Sequence, residues 1–231
     1  MGKNKLRKFQ QINTYNHVIQ TEFKDVFKQK HELYGNWNSA FFKNPNPITL
    51  ELACGKGEYS CYLAAQFPDK NYIGIDIKGA RIWKGASIAI ENNLKNIGFL
   101  RTRIEFIQSF FGEGEISELW ITFPDPQATK PGKRLICSRF LNLYKPLLTK
   151  EHQIHLKTDS KILFDYAQAI IEKNHLPLIQ IEADVYKNHQ EGVLTVKTHY
   201  ENLFSNKGKT IKYVCFSLNN DGDIVEPDLL F

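Results

Sequence analysis

The chain has 231 residues, of which 42% are hydrophobic, and this composition favours one substantial buried core over a disordered or fibrous protein. No apolar run approaches the roughly 20 residues that span a bilayer. The opening stretch, MGKNKLRKFQQIN, lacks the hydrophobic centre of a secretion signal. We therefore expect a cytoplasmic protein with no membrane segment.

The formal net charge of +5 is unevenly distributed. Two stretches, 1–8 and 127–139, contain cations and no acid, and local clusters bind phosphates better than diffuse charge does. Each stretch alone could equally be a solvated surface. We expect residues 1–20 to form a flexible basic arm that adds affinity for a polyanion. The cations are Lys3, Lys5, Arg7 and Lys8 in the first stretch, and Lys130, Lys133, Arg134 and Arg139 in the second.

The cysteines and histidines indicate no metal site. Cys54, Cys61, Cys137 and Cys215 form no CxxC pair, and scattered cysteines in a reducing compartment are usually buried apolar residues. Two histidines, His152 and His155, are three residues apart in a strand-like run, so their side chains point to opposite faces.

Strand-like and helical patterns alternate along the chain from residue 48. This alternation predicts an α/β fold of the Rossmann-like type, with a mostly parallel sheet and helices on both faces. The predicted strands are 48–53, 71–76, 103–108, 117–123 and 153–158. One predicted helix begins near Glu58, and the others cover 81–92, 137–148 and 160–173.

Two further strand candidates, 178–185 and 210–218, follow Pro177. No long helix separates them, so we expect the last strand to be antiparallel. The polar segment 186–208 between them is predicted to be a long functional loop. No linker divides the chain, and residues 21–231 are predicted to form one domain.

The first strand leads into the sequence LELACGKGEY, where Gly55 and Gly57 permit close approach of a ligand to the backbone. Parallel sheets bind ligands beyond the carboxyl ends of their strands, so a cofactor pocket is expected at this turn. The next strand ends at Asp76, nineteen residues after Gly57, a spacing typical of a carboxylate that holds a ribose diol. Capping of the following helix is the alternative role for Asp76.

The turn favours S-adenosylmethionine over a dinucleotide. A dinucleotide fold needs a third glycine, and Ser60 occupies that position. Glu51 precedes the glycines and would repel a pyrophosphate, whereas it suits a ligand with a sulfonium and an amino group.

The strand ending near Phe123 runs into Pro124-Asp125-Pro126. Proline fixes φ and donates no N–H, so Asp125 is held in a stiff connection with cations close behind. A simple proline-rich turn that caps a helix is the alternative. With the cations, the pattern predicts an active site that holds a polyanion.

Together these motifs resemble the bacterial tRNA (guanine-N7-)-methyltransferases. The resemblance covers about residues 48–216 and rests on five ordered motifs. It implies a seven-stranded class I methyltransferase fold whose last strand is antiparallel, S-adenosylmethionine as methyl donor, and methylation of guanine N7 at position 46, in the variable loop of tRNA. The motifs are LELACGKGEY, YIGIDIKGARI, ITFPDPQATKPGKRL, HLKTDS and VKTHYENLF.

The resemblance also implies roles for individual residues. Asp125 is expected to be catalytic and to contact both cofactor and guanine. The chain departs from the family pattern at four places. Ala53 replaces a glycine, which is acceptable if φ is negative, and Gln127 replaces a tryptophan. Thr129 stands where the substrate lysine is expected, and Gln108-Ser109 stands in place of an acid beside the adenine. The implied cofactor ligands are Glu51, Gly55, Gly57, Asp76, Gln108 and Asp125, and the implied substrate ligands are Lys130, Asp159, Thr198 and Glu201.

Two other classes of function stay open. A methylase of another base or of a small molecule is possible, although PDPQ lacks the second adjacent proline and the aromatic residue of the adenine amino-methylase turn. An RNA-binding protein without turnover is the non-enzymatic alternative. For the resembled family the partner is tRNA, and both a monomer and a homodimer are compatible with the sequence.

Overall fold

The computed structural model describes residues 2–27, 29–197, 201 and 208–228, and eight strands in them form one sheet. The order across the sheet is β1-β4-β3-β2-β5-β6-β8-β7. The strands are β1 (Val18–Gln20), β2 (Ile48–Leu52), β3 (Asn71–Asp76), β4 (Ile97–Arg101), β5 (Ile116–Thr122), β6 (Leu148–Thr158), β7 (Leu178–Glu182) and β8 (Lys212–Phe216).

Seven α-helices accompany the sheet in the described residues. They are α1 (Gly2–Ile12), α2 (Phe23–Val26), α3 (Glu58–Gln66), α4 (Gly79–Glu91), α5 (Ser138–Tyr144), α6 (Lys161–Lys173) and α7 (Val185–Asn188). A π-helix covers Trp37–Phe42, and 3₁₀ helices cover Ile104–Ser109, Pro131–Lys133, Lys145–Leu147 and Val193–Thr195.

The predicted fold class is confirmed, and β8 is antiparallel to both of its neighbours. All other pairings in the sheet are parallel in the described residues. The predicted count of seven strands was wrong, because β1 adds an eighth strand beside β4. With three residues, β1 is too short to show a hydrophobic pattern in the sequence.

The predicted strand at 103–108 was also wrong. The strand that follows β3 and α4 along the chain is β4, whereas residues 104–109 form a 3₁₀ helix. Ile107 is buried and Ile104 is half-buried, a three-residue spacing that matches one face of a 3₁₀ helix.

The N-terminal residues differ from the predicted flexible arm. Residues 2–12 form α1, and Ile12 at its end is fully buried. Gln11 Oε1 accepts a 2.8 Å hydrogen bond from Trp83 Nε1 on α4, and Lys8 Nζ lies 4.5 Å from the centroid of that indole ring. Together with β1, this packing places part of the segment 1–20 within the domain.

The two faces of the sheet are covered differently. One face is aliphatic and packs against α5 and α6. The other packs against α1, α3 and α4 on one side, but β5, β6 and β8 present large polar or aromatic side chains there, including Trp120, His155, Lys157 and Tyr213. This polar half lies under the segment 185–197.

The histidines have structural partners. His152 Nε2 accepts the Leu218 N–H at 2.7 Å, and the His155 ring stacks on Trp120 at 4.0 Å. Within the described part of the chain, no cluster of potential metal ligands occurs. Nor does any helix there have the length and apolar character that crossing a membrane requires.

Candidate active site

Four of the five predicted motifs meet at the carboxyl ends of the central strands, where they line two adjoining cavities. The central cleft, of about 1000 Å³, lies between the glycine turn, the residues 122–127 and the start of α6. The lateral cleft, of about 770 Å³, extends from the end of β3 to the residues that follow β4. Both clefts are lined by Ala53, Ile77, Lys78, Arg81 and Gln127, so they form one continuous site.

The glycine turn has a left-handed backbone at three positions. Gly55 and Gly57 have φ of 58° and 64°, and a Cβ atom on Gly57 would lie 2.5 Å from the Phe99 ring. Ala53 has φ of 55°, so the condition under which alanine would be acceptable there, a negative φ, is not met. The turn therefore retains the strained geometry of a glycine despite the methyl group, at a cost of about 1 kcal/mol.

Glu51 lies behind this turn and is 4% exposed. Its carboxylate accepts hydrogen bonds from the Ser60 N–H at 3.0 Å, from the Ser60 hydroxyl, and from Thr122 Oγ1 at 2.6 Å. Burial raises the pKa of Glu51 to about 7, although the hydrogen bonds from Ser60 and Thr122 oppose that shift. A cation bound in the central cleft would favour the ionised form.

Asp76 ends β3 and links the turn to α4. Its Oδ2 accepts the Gly55 N–H at 3.0 Å, and its Oδ1 accepts the Lys78 N–H at 2.7 Å. Each oxygen retains a second lone pair for a ligand hydroxyl. The next residue, Ile77, is 55% exposed and offers an apolar surface to both clefts.

The segment Phe123–Gln127 carries Asp125 in a rigid loop. Phe123 and Gln127 have φ of 47° and 46°, an unfavourable conformation for residues other than glycine. The loop is fixed at both ends, because the Phe123 N–H donates to Lys157 O at 2.8 Å and the Gln127 N–H donates to Asp125 Oδ1 at 3.0 Å. Asp125 is exposed and its side chain lines the central cleft.

Arg134 supports the same loop from inside the protein. Its Nε donates to Pro126 O at 3.2 Å, and its guanidinium lies 4.6 Å from the centroid of the Tyr166 ring. The sequence predicts that Arg134 is one of the cations that bind a polyanion, but its side chain is fully buried. That interpretation was wrong, since the side chain packs beneath the loop.

Asp159 lies at the other side of the central cleft. Its Oδ2 is 2.5 Å from Lys209 Nζ, and its side chain is 12% exposed. The start of α6 is capped by the neighbouring Ser160, whose hydroxyl accepts the Leu163 N–H at 3.4 Å. Asp159 therefore faces the cleft without serving as the helix cap.

The structure gives no support to two predicted positions. Lys130 is exposed and lies outside the lining of both clefts, whereas Lys133 lines the lateral cleft. The predicted position of Gln108 at the end of a strand was wrong. It belongs to a 3₁₀ helix, and its Nε2 donates to Leu143 O at 2.9 Å.

The residues that follow β4 also belong to the site, although the sequence motifs did not indicate them. Thr102, Arg103 and Glu105 line the lateral cleft, and Arg103 Nη2 lies 3.1 Å from Glu105 Oε1. The run IGFLR is apolar and follows a turn, so it could have indicated the strand and hence this position.

Of the two predicted late residues, Thr198 lies outside the described residues. Glu201 is fully buried, and its carboxylate is 2.8 Å from Lys157 Nζ. The Tyr186 hydroxyl donates to Glu201 Oε1 at 2.5 Å.

Known proteins resemble this chain over most of its length. The family model described as "Putative methyltransferase" matches residues 45–214. The tRNA (guanine-N(7)-)-methyltransferase of Bacteroides fragilis is 46% identical over 99% of this chain and 91% of its own, and that of Porphyromonas gingivalis is 46% identical over 94% and 91%. The crystal structure of the 16S rRNA methyltransferase KamB matches at 13% identity with a TM-score of 0.58, over 90% of this chain and 96% of its own. At that identity the match concerns the fold alone.

Proposed function

Because the chain belongs to the tRNA (guanine-N(7)-)-methyltransferase family, we infer that it transfers the methyl group of S-adenosylmethionine to N7 of a guanine in tRNA. The observation that carries this inference is the meeting of Glu51, Asp76 and Asp125 around one continuous cleft. For the finer points, we propose position 46 of the variable loop as the target and the cytoplasm, where tRNA is used, as the location.

The residues of the cleft fit S-adenosylmethionine. Glu51 is a buried carboxylate whose pKa burial raises to about 7, so a positively charged ligand would relieve an unfavourable charge. Asp76 has lone pairs for two ribose hydroxyls, and Ile77 provides an apolar surface beside it. Gly55 and Gly57 give the ligand access to the backbone. We propose that Thr102 and Arg103 lie beside the adenine, which is the role predicted from the sequence for Gln108.

The donor supplies a methyl group on a sulfonium, and guanine N7 already has a free lone pair. The enzyme therefore needs no general base to create the nucleophile, and positioning can supply roughly 7 to 11 kcal/mol of barrier reduction in favourable cases. Methylated guanine carries a positive charge. The proposed role of Asp125 is to orient guanine and to stabilise that developing charge from a fixed loop.

The remaining ligands are proposed around the target base. Asp159, which lines the central cleft, would contact the substrate once its ion pair with Lys209 is broken. Lys133 lines the lateral cleft, and Lys130 is exposed three residues earlier in the same loop. We therefore propose that both lysines bind phosphates of the tRNA. Thr198 keeps its proposed substrate role through the family resemblance alone.

The first test is identification of the product. Purified protein, methyl-labelled S-adenosylmethionine and unmodified tRNA should give label in 7-methylguanosine after digestion of the RNA. Primer extension after cleavage at the modified base would map its position. Label in another nucleoside would contradict the proposed reaction while leaving the methyltransferase fold intact, and cofactor binding without label would favour a different substrate or a binding role.

The cations of α1 are expected to add affinity for tRNA. Replacing Lys3, Lys5, Arg7 and Lys8 by glutamine preserves Phe9 and Ile12, which pack on the domain. Each lost phosphate contact should lower the slope of log Kd against log salt by about 0.7 to 0.9. Filter binding at several salt concentrations measures this slope.

An unchanged slope would remove α1 from the tRNA interface. The matched control replaces Lys150 and Lys173, which lie on β6 and α6, by glutamine, and it should leave the slope as in the wild type.

A further inference from the structure

The burial of Glu201 is difficult to combine with direct substrate binding. The side chain has no exposed surface, and its oxygens lie within hydrogen-bond distance of Lys157 Nζ and the Tyr186 hydroxyl. Lys157 has no exposed surface either. A carboxylate in this setting is already satisfied and would have to leave its partners before it could contact RNA.

The same lysine holds the preceding backbone. Lys157 Nζ donates to Val196 O at 3.1 Å, and the Tyr59 hydroxyl donates to Val193 O at 2.8 Å. Leu194 between these contacts is buried. The segment 193–197 is therefore attached to β6 and α3 by two side chains, and one of them is ion-paired with Glu201.

These contacts extend to the wall of the central cleft. Lys157 Nζ lies 5.7 Å from the centroid of the Tyr59 ring and 5.8 Å from that of Phe123, and both residues line the cleft. The Lys157 carbonyl accepts the Phe123 N–H at the start of the loop that carries Asp125. One residue thus connects the Asp125 loop, β6 and the segment 193–197.

We propose that Glu201 is a positioning residue, which pairs with Lys157 and Tyr186 beneath the cleft to hold the segment 193–197 in place and does not itself contact tRNA. This inference rests on the proposed function, since the segment would present its neighbouring residues to tRNA. Burial lowers the pKa of Lys157, and the Glu201 carboxylate opposes that shift, in agreement with a charged pair that depends on both members.

A double-mutant cycle separates positioning from contact. Lys157→Met leaves Glu201 as a buried carboxylate without its ion pair, so the KM for tRNA should rise at least about tenfold while the Kd for the cofactor stays unchanged. Glu201→Gln alone leaves Lys157 without its counter-charge and should have a similar effect. The double variant removes both charges and preserves the hydrogen bond from Tyr186, but methionine cannot donate to Val196 O, so its KM should recover only in part and lie below that of either single variant.

Direct contact between Glu201 and tRNA predicts a different result. Glu201→Gln would then raise KM by the same factor with Lys or Met at position 157, and a double variant as impaired as the worse single variant would overturn the proposal. Lys150→Met, an exposed lysine on the same strand, is the matched control and should leave KM unchanged.

Limited proteolysis gives a readout that is independent of methylation. Trypsin cleavage after the exposed Lys197 should be faster in Lys157→Met than in the wild type and should be intermediate in the double variant, which also lacks the donor to Val196 O. Equal cleavage rates in all four proteins would also overturn the proposal. If the wild type produced no 7-methylguanosine, the proposed function would fail, and the cleavage rates would still decide whether the pair holds the segment.

Discussion

Replacing Asp125 by asparagine is expected to lower the single-turnover rate of methylation by about 10²- to 10³-fold, the range seen when one preorganised electrostatic group is removed. Asparagine has nearly the same shape, and its Oδ1 can still accept the Gln127 N–H that Asp125 accepts at 3.0 Å. The loop conformation and the cofactor Kd should therefore change little. Rapid-quench measurement with saturating cofactor isolates the chemical step.

The matched control for this variant is Asp69→Asn, an exposed carboxylate between α3 and β3. It has the same change of charge and should leave the rate unaffected. A single-turnover rate for Asp125→Asn within threefold of the wild type would exclude Asp125 from the mechanism. A loss of cofactor binding instead of rate would assign it to the cofactor alone.

The affinity for S-adenosylmethionine is expected to rise with pH through about 7, the pKa of Glu51 in the free protein. Binding of a cation favours the ionised carboxylate, so each unit of pH below 7 should weaken binding by up to about tenfold. Between pH 8 and pH 5.5 the Kd should increase about 30-fold. Calorimetric titration in two buffers of different ionisation enthalpy should also show proton release near pH 6.5.

Glu51→Gln should flatten this profile and bind weakly at every pH, because glutamine does not ionise. S-adenosylhomocysteine, which lacks the sulfonium charge, serves as the ligand control and should show a shallower dependence on pH. A Kd that is constant from pH 5.5 to 8 in the wild type would place the cationic part of the cofactor away from Glu51.

The same shift has a consequence for the stability of the free protein. The pKa of Glu51 is raised from 4.5 in the unfolded chain to about 7. Its contribution to stability is fully present below pH 4.5 and is lost as the pH rises through 7, a change of about 3 kcal/mol. The buried carboxylate thus makes the cofactor-free enzyme less stable at the pH where it binds its cofactor best.

The sequence predicted most of the central sheet because each strand there is an apolar run followed by a recognisable motif. The strand 71–76 was predicted with the bounds that β3 has, and the residues Glu51, Asp76, Asp125 and Asp159 line the predicted clefts. Strand order then places these residues together, since parallel strands bring their carboxyl ends to one edge.

The errors concern properties that depend on packing. The left-handed φ of Ala53 is imposed by the turn and is not visible in the residue type. Arg134 belongs to a basic loop and therefore resembled a surface cation, yet it is buried against Tyr166 of a distant helix. Glu201 is predicted from a motif to bind the substrate, whereas its burial depends on its ion pair with Lys157 on β6.

The four cysteines are buried with free thiols, and burial raises the pKa of each of them. The pKa of Cys61 reaches about 12 and that of Cys215 about 11, so almost no reactive thiolate exists in the native state at neutral pH. Alkylation by iodoacetamide therefore requires local opening of the fold, and the alkylation rate measures how often that opening occurs. Cys54 adjoins Gly55 in the glycine turn, so its labelling would report directly on how strongly a bound ligand suppresses the opening of that turn.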